Sequence, residues 1–209
     1  GHGVHLVADG EAFWRWRRRG GALTLADEVR AAVAEHGRPD VLLVSGMVHL
    51  AALLGFLRRD LGDVPVALYL HENQLTHPVG PRDRPDESLP LANWLSMAVA
   101  DRTFVNSESH RRDLAAALPR LLRRAPDRPH PGHLDDALAR CEVLPVGVDL
   151  RGIEPDGHPV PADPLIVWDQ RWAHEKRPGR LFRALRTLHA EGVAFRLALA
   201  GHNTRVDPQ

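Results

Sequence analysis

The chain has 209 residues, of which 44% are hydrophobic and 26% are charged. This length allows one full domain and part of a second, since domains commonly contain about 100–150 residues, and the composition excludes wholesale disorder. The charges of the 27 basic and 27 acidic residues cancel, so the net charge is zero. The net charge therefore cannot attract nucleic acid as a strongly basic domain does, and any such binding must be local.

The longest apolar stretches, around Val41–Val44 and Ala51–Leu57, are far shorter than the roughly 20 residues that a membrane-spanning helix needs, so the sequence predicts no membrane span. The single cysteine, Cys141, excludes an internal disulfide and a multi-cysteine zinc site. It fits a reducing compartment, and we expect a cytoplasmic protein. The histidines show no metal-ligand spacing, so we assign no metal.

Short apolar runs alternate with amphipathic stretches from Pro39 onward, which is the pattern of βαβ units and parallel sheets. The predicted class is therefore α/β. The predicted strands are His5–Val7, Val41–Ser45, Val64–Leu70, Thr103–Asn106, Glu142–Leu144, Leu165–Asp169 and Phe195–Ala200. The predicted helices are Leu25–Glu35, Val48–Arg59, Leu91–Ala100, Ser109–Leu122 and Arg180–Ala190.

Three proline-containing stretches interrupt this alternation. We predict a mobile loop at His77–Pro90, an irregular surface segment at Ala125–His133 and an interdomain linker at Gly152–Pro164. The linker separates a Rossmann-like domain at residues 1–151 from the start of a second one at residues 165–209. That second stretch supplies only a strand, a helix and a strand, and no glycine turn precedes the first strand. We expect a chain truncated at both ends and inactive alone.

Polar side chains follow the predicted strand Val64–Leu70. His71, Glu72, Asn73 and Gln74 lie directly beyond its carboxyl end, where ligands of open α/β sheets bind. His71 can act as a donor or base and Glu72 as a base or charge stabiliser, because their environment can shift both towards neutral pH. A metalloprotease motif is excluded, since HExxH requires histidine at position 75. The alternative is a hydrogen-bonded loop without a reaction.

A second polar segment follows the strand that ends at Asp169. Arg171 and Lys176 lie on a loop before a helix that starts after Pro178, so an arginine fork and a lysine ammonium can converge on one diphosphate. Lys176 is the only lysine among 27 basic residues, which argues against a chance position. The alternative is a solvated cationic turn paired with Glu175.

Indoles and guanidinium groups alternate in Trp14–Arg19. This composition suits stacking on bases and neutralisation of phosphates, which makes Trp16, Arg17 and Arg18 candidate RNA contacts. The alternative is structural: tryptophans with a period of two pack one way while the arginines face solvent.

Two further positions have both structural and functional interpretations. Asn106-Ser107 is expected to cap the following helix, with Ser107 or Ser109 accepting backbone N–H bonds. Gly147 allows either a close approach of the backbone to a ligand or a tight turn.

Four pieces of the chain, in order, resemble the tRNA-queuosine mannosyltransferases and their bacterial relatives, which are related to glycosyltransferase family 4. The pieces are Trp16-Arg17 to Ala22, Tyr69–Pro78, Asn106-Ser107 with Leu144–Leu150, and Trp168–Pro178. The second and fourth are the specific ones. The sequence departs from the family pattern at Ala173, where the family tends to have an acidic residue, and at His110, where it tends to have asparagine.

The resemblance implies a two-domain enzyme of the GT-B type that moves mannose from GDP-mannose to queuosine in tRNA, with retention and without a cofactor. By position, Arg171 and Lys176 correspond to the diphosphate ligands, and His71 and Glu72 to residues close to the sugar or acceptor. Asn73, Gln74 and Gly147 are the further candidates for substrate or donor binding.

Two alternatives remain open. The first is a glycosyltransferase of the same architecture that acts on a lipid or a small metabolite, for which the basic and aromatic Trp14–Arg19 would not be needed. The second is a catalytically silent RNA-binding module, which would keep Trp14–Arg19 but have no need of Lys176. Donor binding distinguishes the second alternative from an enzyme.

Overall fold

The computed structural model describes residues 2–8, 14–77, 88–128, 130–154, 157, 159 and 163–201, without the side chains of residues 14–16, 18 and 19. Internal contacts divide the chain into two compact units. The described part of residues 1–77 and 86–147 forms the N-terminal unit, and the described residues from 148 onward belong to the C-terminal unit. The predicted bounds at residues 151 and 165 remain predictions, and much of the predicted linker lies outside the described residues.

The N-terminal unit is built around a parallel sheet. Its elements in chain order are α1 (Trp14–His36), β1 (Leu42–Ser45), α2 (Leu50–Leu57), β2 (Val66–Leu70), α3 (Ser88–Val99), β3 (Arg102–Val105), α4 (Glu108–Leu122), α5 (Pro131–Ala139) and β4 (Cys141–Val143). The strands follow one another in the order β1-β2-β3-β4, and each neighbouring pair is parallel. This sheet confirms the predicted α/β class and fits a Rossmann-like domain.

The core of this unit lies between the sheet and its helices. β2 pairs on both sides, and its side chains alternate between buried and half-buried, with Leu68 and Leu70 almost fully enclosed. Leu50, Leu53 and Leu57 of α2 are buried at helical spacing. None of the described helices is long and apolar enough to cross a membrane.

Two predictions for the N-terminal region are wrong. His5–Val7 is not a strand but an irregular segment, because none of the described strands pairs with it; Val7 packs against the core and the His5 ring stacks on His36. The first helix begins at Trp14 and not at Leu25. In the part before Leu25, Ala22 is buried in the core, and this tertiary contact is not visible in helix propensity.

Two proline-containing stretches also differ from their prediction. Ser88–Pro90 forms the first turn of α3, while residues 78–87 of the predicted mobile loop lie outside the described residues. Pro131–His133 begins α5 within the predicted irregular segment. Proline is favoured in the first helical turn because the missing N–H would have no partner there, and the buried Leu134 and Ala137 then anchor this short helix.

The C-terminal unit contains β5 (Leu165–Asp169), a 3-10 turn (His174–Lys176), α6 (Pro178–Ala190) and β6 (Arg196–Ala200). β5 and β6 form their own two-stranded parallel sheet. Immediately after β6, Gly201 has a φ of +136°, and a Cβ atom there would overlap the Gln170 carbonyl oxygen. Only glycine therefore allows the chain to leave β6 so close to the end of β5.

Candidate functional site

Polar side chains gather where β1, β2 and β3 end, at the carboxyl edge of the sheet. Two shallow, open depressions lie there. Glu72, Gln74 and Asn93 line both of them, and His71 lines the second. The structure therefore brings three of the four polar residues predicted after β2 to one depression. Asn73 lines the first depression with Glu72 and Gln74.

Hydrogen bonds within the segment after β2 fix the Glu72 carboxylate. Its Oε1 accepts from Gln74 Nε2 at 2.6 Å, and its Oε2 lies 3.4 Å from His77 Nδ1. Asn73 Oδ1 accepts from the Leu75 N–H at 3.0 Å, but Asn73 Nδ2 is buried without a partner among the described residues. The loop is thus internally bonded, as the non-reactive alternative expects, yet it leaves a buried donor unused. The roles assigned to these residues remain predictions.

A second set of contacts holds His71 in place. The Asn106 Nδ2 donates to the His71 carbonyl oxygen at 2.9 Å, which joins the ends of β2 and β3. The ring of Tyr69 lies 4.9 Å from the His71 ring, and the Tyr69 hydroxyl donates to the Leu144 carbonyl at 2.8 Å. The backbone of His71 is therefore tied to β3, while its side chain stays exposed.

Asn106 and Ser107 act together at the start of α4. The Ser107 Oγ accepts from the His110 N–H at 3.2 Å, which confirms the predicted cap. The same hydroxyl donates to Asn106 Oδ1 at 3.1 Å. The His110 Nδ1 lies 3.3 Å from that oxygen, and it donates to Asn106 Oδ1 in the tautomer with the proton on Nδ1. The cap thereby also orients the amide that holds His71.

His110 is a site residue that the sequence analysis did not predict. It is only 8% exposed, and its Nε2 is buried without a partner among the described residues. Burial lowers the pKa of the imidazole below its ordinary value, and the charges of Asp113 and Glu72 oppose this shift. The imidazole is therefore held neutral beside the candidate site.

We expect His110 to make the stability depend on pH. In the unfolded chain, His110 binds a proton near the ordinary histidine pKa of about 6.5. In the folded protein, it binds a proton only at a lower pH. The contribution of neutral His110 to the free energy of unfolding should be complete above that pH and lost as the pH falls towards the lowered pKa. Urea unfolding at about pH 7.5 and about pH 5.5 measures this difference.

The matched variant is His110→Gln, which removes the titrating group and keeps a polar side chain. Its free energy of unfolding should fall less between the two pH values than that of the unaltered protein, because the other histidines titrate equally in both. Equal falls in the two proteins would show that His110 is not protected from protonation.

Gly46 and Asn93 were also missed. The Gly46 N–H donates to the Tyr69 carbonyl at 2.7 Å, and a Cβ on Gly46 would lie 2.7 Å from Leu70 Cδ2 and 3.3 Å from Leu70 Cα. Glycine is therefore needed where the end of β1 closes on β2. A signal for each was present: Gly46 ends an apolar run, and Asn93 is a single amide in the middle of an apolar helix.

In the C-terminal unit, Arg171 and Lys176 have different surroundings. An Arg171 guanidinium nitrogen lies 3.7 Å from Glu175 Oε1, as the structural alternative expects, and the Arg171 side chain is largely exposed. Lys176 ends the 3-10 turn and is exposed, with no partner for its ammonium among the described residues. α6 begins at Pro178 itself, and no side chain caps its N-terminus. Whether the two cations bind one anion remains a prediction.

The candidate RNA contacts lie on α1. The structural interpretation, in which the tryptophans pack one way while the arginines face solvent, stays open, because the Trp14 side chain lies outside the described part of the structure. The Arg17 side chain is half-buried and makes an interaction of its own, and the side chains of Trp16 and Arg18 lie outside the described part of the structure. The RNA contact remains a prediction.

Gly147 lies in an exposed, irregular segment and not in a turn. It is absent from the described residues with positive φ, and the space that its Cβ would occupy is open. The tight-turn interpretation is therefore wrong, and ligand approach stays as the prediction.

Comparison with known proteins agrees with the resemblance seen in the sequence. The sequence model of the family described as tRNA-queuosine alpha-mannosyltransferase N-terminal matches residues 1–148. The chain is 27% identical over 205 residues to the tRNA-queuosine alpha-mannosyltransferase of Drosophila melanogaster. That match covers 94% of this chain and 53% of the fly protein, so the chain spans about half the length of this relative. The family match includes all four strands of the N-terminal unit and the polar edge of its sheet. This chain therefore belongs to the tRNA-queuosine alpha-mannosyltransferase N-terminal family.

Proposed function

We propose that this chain is part of a GT-B glycosyltransferase that transfers mannose from GDP-mannose to queuosine in tRNA, with retention of configuration. The observation that carries the proposal is the family match across the whole N-terminal sheet, together with the fly relative named for this activity. The proposal needs no cofactor or metal. It includes the acceptor-side domain at residues 1–151, the linker at 152–164 and the start of the nucleotide-sugar domain at 165–209.

In this proposal the N-terminal unit binds the sugar or acceptor at the carboxyl edge of its sheet. His71 and Glu72 act there, since both side chains are exposed and the Asn106 contact holds their backbone. A carboxylate with one oxygen that accepts from Gln74 and the other 3.4 Å from His77 Nδ1 is oriented before the substrate arrives. Gln74 and Asn73 line the same edge, and Gly147 leaves open space for a ligand.

The C-terminal unit binds the diphosphate of the donor in this proposal. The exposed Lys176 ammonium and the Arg171 guanidinium neutralise the charge that grows on the departing nucleotide. The uncapped N–H groups at the start of α6 add partial positive charge. Glu175 does not prevent this, because an exposed ion pair at 3.7 Å stabilises little and a diphosphate carries more charge.

The proposal is tested with the full-length protein, radiolabelled GDP-mannose and two tRNA preparations that differ only in the presence of queuosine. We expect label to enter only the queuosine-containing tRNA. GDP-glucose is the matched control donor, since it carries the same nucleotide and differs from GDP-mannose in the configuration of one hydroxyl. The anomeric configuration of the product, determined by NMR, tests retention.

The other outcomes identify the alternatives. Transfer to a lipid or small metabolite with no transfer to tRNA would favour the first alternative enzyme. Binding of tRNA without any binding of GDP-mannose would favour the RNA-binding module. Unimpaired tRNA labelling after replacement of Arg17 and Arg18 by alanine would contradict the assigned RNA contact.

A further inference from the structure

Asn93 lies in the middle of α3, and its side chain is only 8% exposed. No hydrogen bond joins its carboxamide to any described residue. The amide nitrogen and oxygen are not among the fully enclosed polar atoms that lack a partner, so the depressions that Asn93 lines leave them accessible. A largely buried side chain whose unpaired amide is accessible from two depressions is therefore available to a ligand.

Ser96, on the same helix, is a buried polar residue whose hydroxyl is hydrogen-bonded within the protein. Its hydroxyl donates to the Ala92 carbonyl at 2.8 Å and accepts from the Leu50 N–H at 3.1 Å. Ser96 is fully buried and fully bonded. The Ser96 hydroxyl, which joins α3 to α2, is therefore hydrogen-bonded within the protein. The Asn93 amide on the same helix is available to a ligand.

The surroundings of Asn93 indicate the chemistry of that group. The depressions have room for about one water-sized group each. Asn73 Nδ2 is a buried amide donor without a partner among the described residues, and Asn73 lines the first depression together with Glu72 and Trp94. A hydroxyl has the size that fits this space. The carboxamide of an asparagine has an accepting oxygen next to a donating NH₂ group, so it can bind two adjacent hydroxyls, one as donor and one as acceptor.

We propose that Asn93 is a specificity-determining residue that binds a vicinal diol of the ligand. One hydroxyl donates to Asn93 Oδ1 and the other accepts from Asn93 Nδ2. This inference rests on the proposed function, which offers two sources of a vicinal diol: the mannose ring of the donor and the cyclopentene ring of queuosine. The shared chemistry is the diol, and the experiment distinguishes the two sources.

The first test is binding, which does not require transfer activity. The full-length protein is labelled with ¹⁵N in its asparagine side chains, and the Asn93 amide signals are identified as those missing from Asn93→Leu. Methyl α-D-mannopyranoside and queuosine nucleoside are the two probes. Methyl 3-deoxy-α-D-mannopyranoside, which has no two adjacent hydroxyls, and a queuosine analogue with one cyclopentene hydroxyl removed are their controls. We expect one intact probe to shift the Asn93 signals and its control to leave them unchanged.

The second test uses variants of the full-length enzyme. Asn93→Leu removes both hydrogen-bonding groups, and Asn93→Asp keeps only an acceptor. Asn93→Leu should raise the KM of the diol-bearing substrate roughly tenfold or more, and Asn93→Asp should raise it less. The melting temperature of Asn93→Leu should stay at or above that of the unaltered protein, because an unpaired buried amide contributes nothing to folding. Val99→Ala, an exposed truncation on the same helix, should change neither value.

The outcomes separate this inference from the proposed function. If no sugar is transferred but a diol probe shifts the Asn93 signals, the inference stands and the function is wrong. If transfer proceeds but neither intact probe shifts these signals, the inference is wrong and the function stands. A lower melting temperature for Asn93→Leu with unchanged KM values would show that the amide serves the fold, and would also overturn the inference.

Discussion

Replacing Lys176 by alanine in the full-length enzyme should lower turnover by roughly 10²–10³-fold. The size follows from the loss of one preorganised positive group at a site where charge develops in the transition state. Lys176 is suited to this role because it lies next to the start of α6, exposed and without a partner among the described residues. The measurement is kcat for mannose transfer to queuosine-containing tRNA.

The fold should survive this change, since an exposed lysine without a partner contributes little to stability. The melting temperature of Lys176→Ala should therefore match that of the unaltered enzyme. Arg186→Ala is the matched control, because it removes an exposed cation from α6 two turns beyond the N-terminus. Near-normal turnover in Lys176→Ala, or an equal loss in Arg186→Ala, would show that the diphosphate assignment is wrong.

The largest loss of stability is expected for Leu68→Ala. Leu68 is fully buried at the centre of β2, where it pairs with Val44 on one side and Thr103 on the other. Truncation removes apolar burial and leaves a cavity, which costs about 2–5 kcal/mol in the free energy of unfolding. Urea unfolding followed by far-UV circular dichroism gives this value for the N-terminal unit.

Leu43→Ala provides the control. Leu43 lies on the neighbouring strand β1, carries the same side chain and is 64% exposed, so its truncation should change the free energy of unfolding by no more than about 0.5 kcal/mol. If the two variants lose equal stability, Leu68 is not more deeply buried than Leu43, contrary to the structure. Loss of the buried Leu68 side chain should also make the positions of His71 and Glu72 less fixed, because these residues directly follow β2.

The strands of the parallel sheet could be predicted because each is a short apolar run bounded by polar or turn residues. Their ends could not, since a strand ends where its ladder partners end: the strand predicted from Val64 begins at Val66, opposite Leu42. The same dependence explains why the strand prediction for His5–Val7 is wrong: the apolar pattern is present, but none of the strands that the structure describes pairs with it. The helix α5 was not predicted, because the prolines before it indicated an irregular segment. Tertiary packing of Leu134 stabilises this helix.

The candidate site was predictable only in part. The position of His71 and Glu72 follows from a general rule on the carboxyl ends of parallel strands. The contact that holds them does not, because Asn106 is 35 positions from His71 in the chain. His110 and Asn93 carry no local motif, and each becomes notable only because a buried polar atom or side chain lacks a partner.

The sequence by itself determined the family, the α/β class and the two polar segments that follow β2 and β5, because these depend on the order of residue types along the chain. The tertiary structure alone decided which polar groups are satisfied. The Ser96 hydroxyl is bonded to α2 and the Asn93 amide to nothing described, although both lie on one helix. Burial and hydrogen-bond partners come from residues that are distant in sequence, and a linear pattern does not contain them.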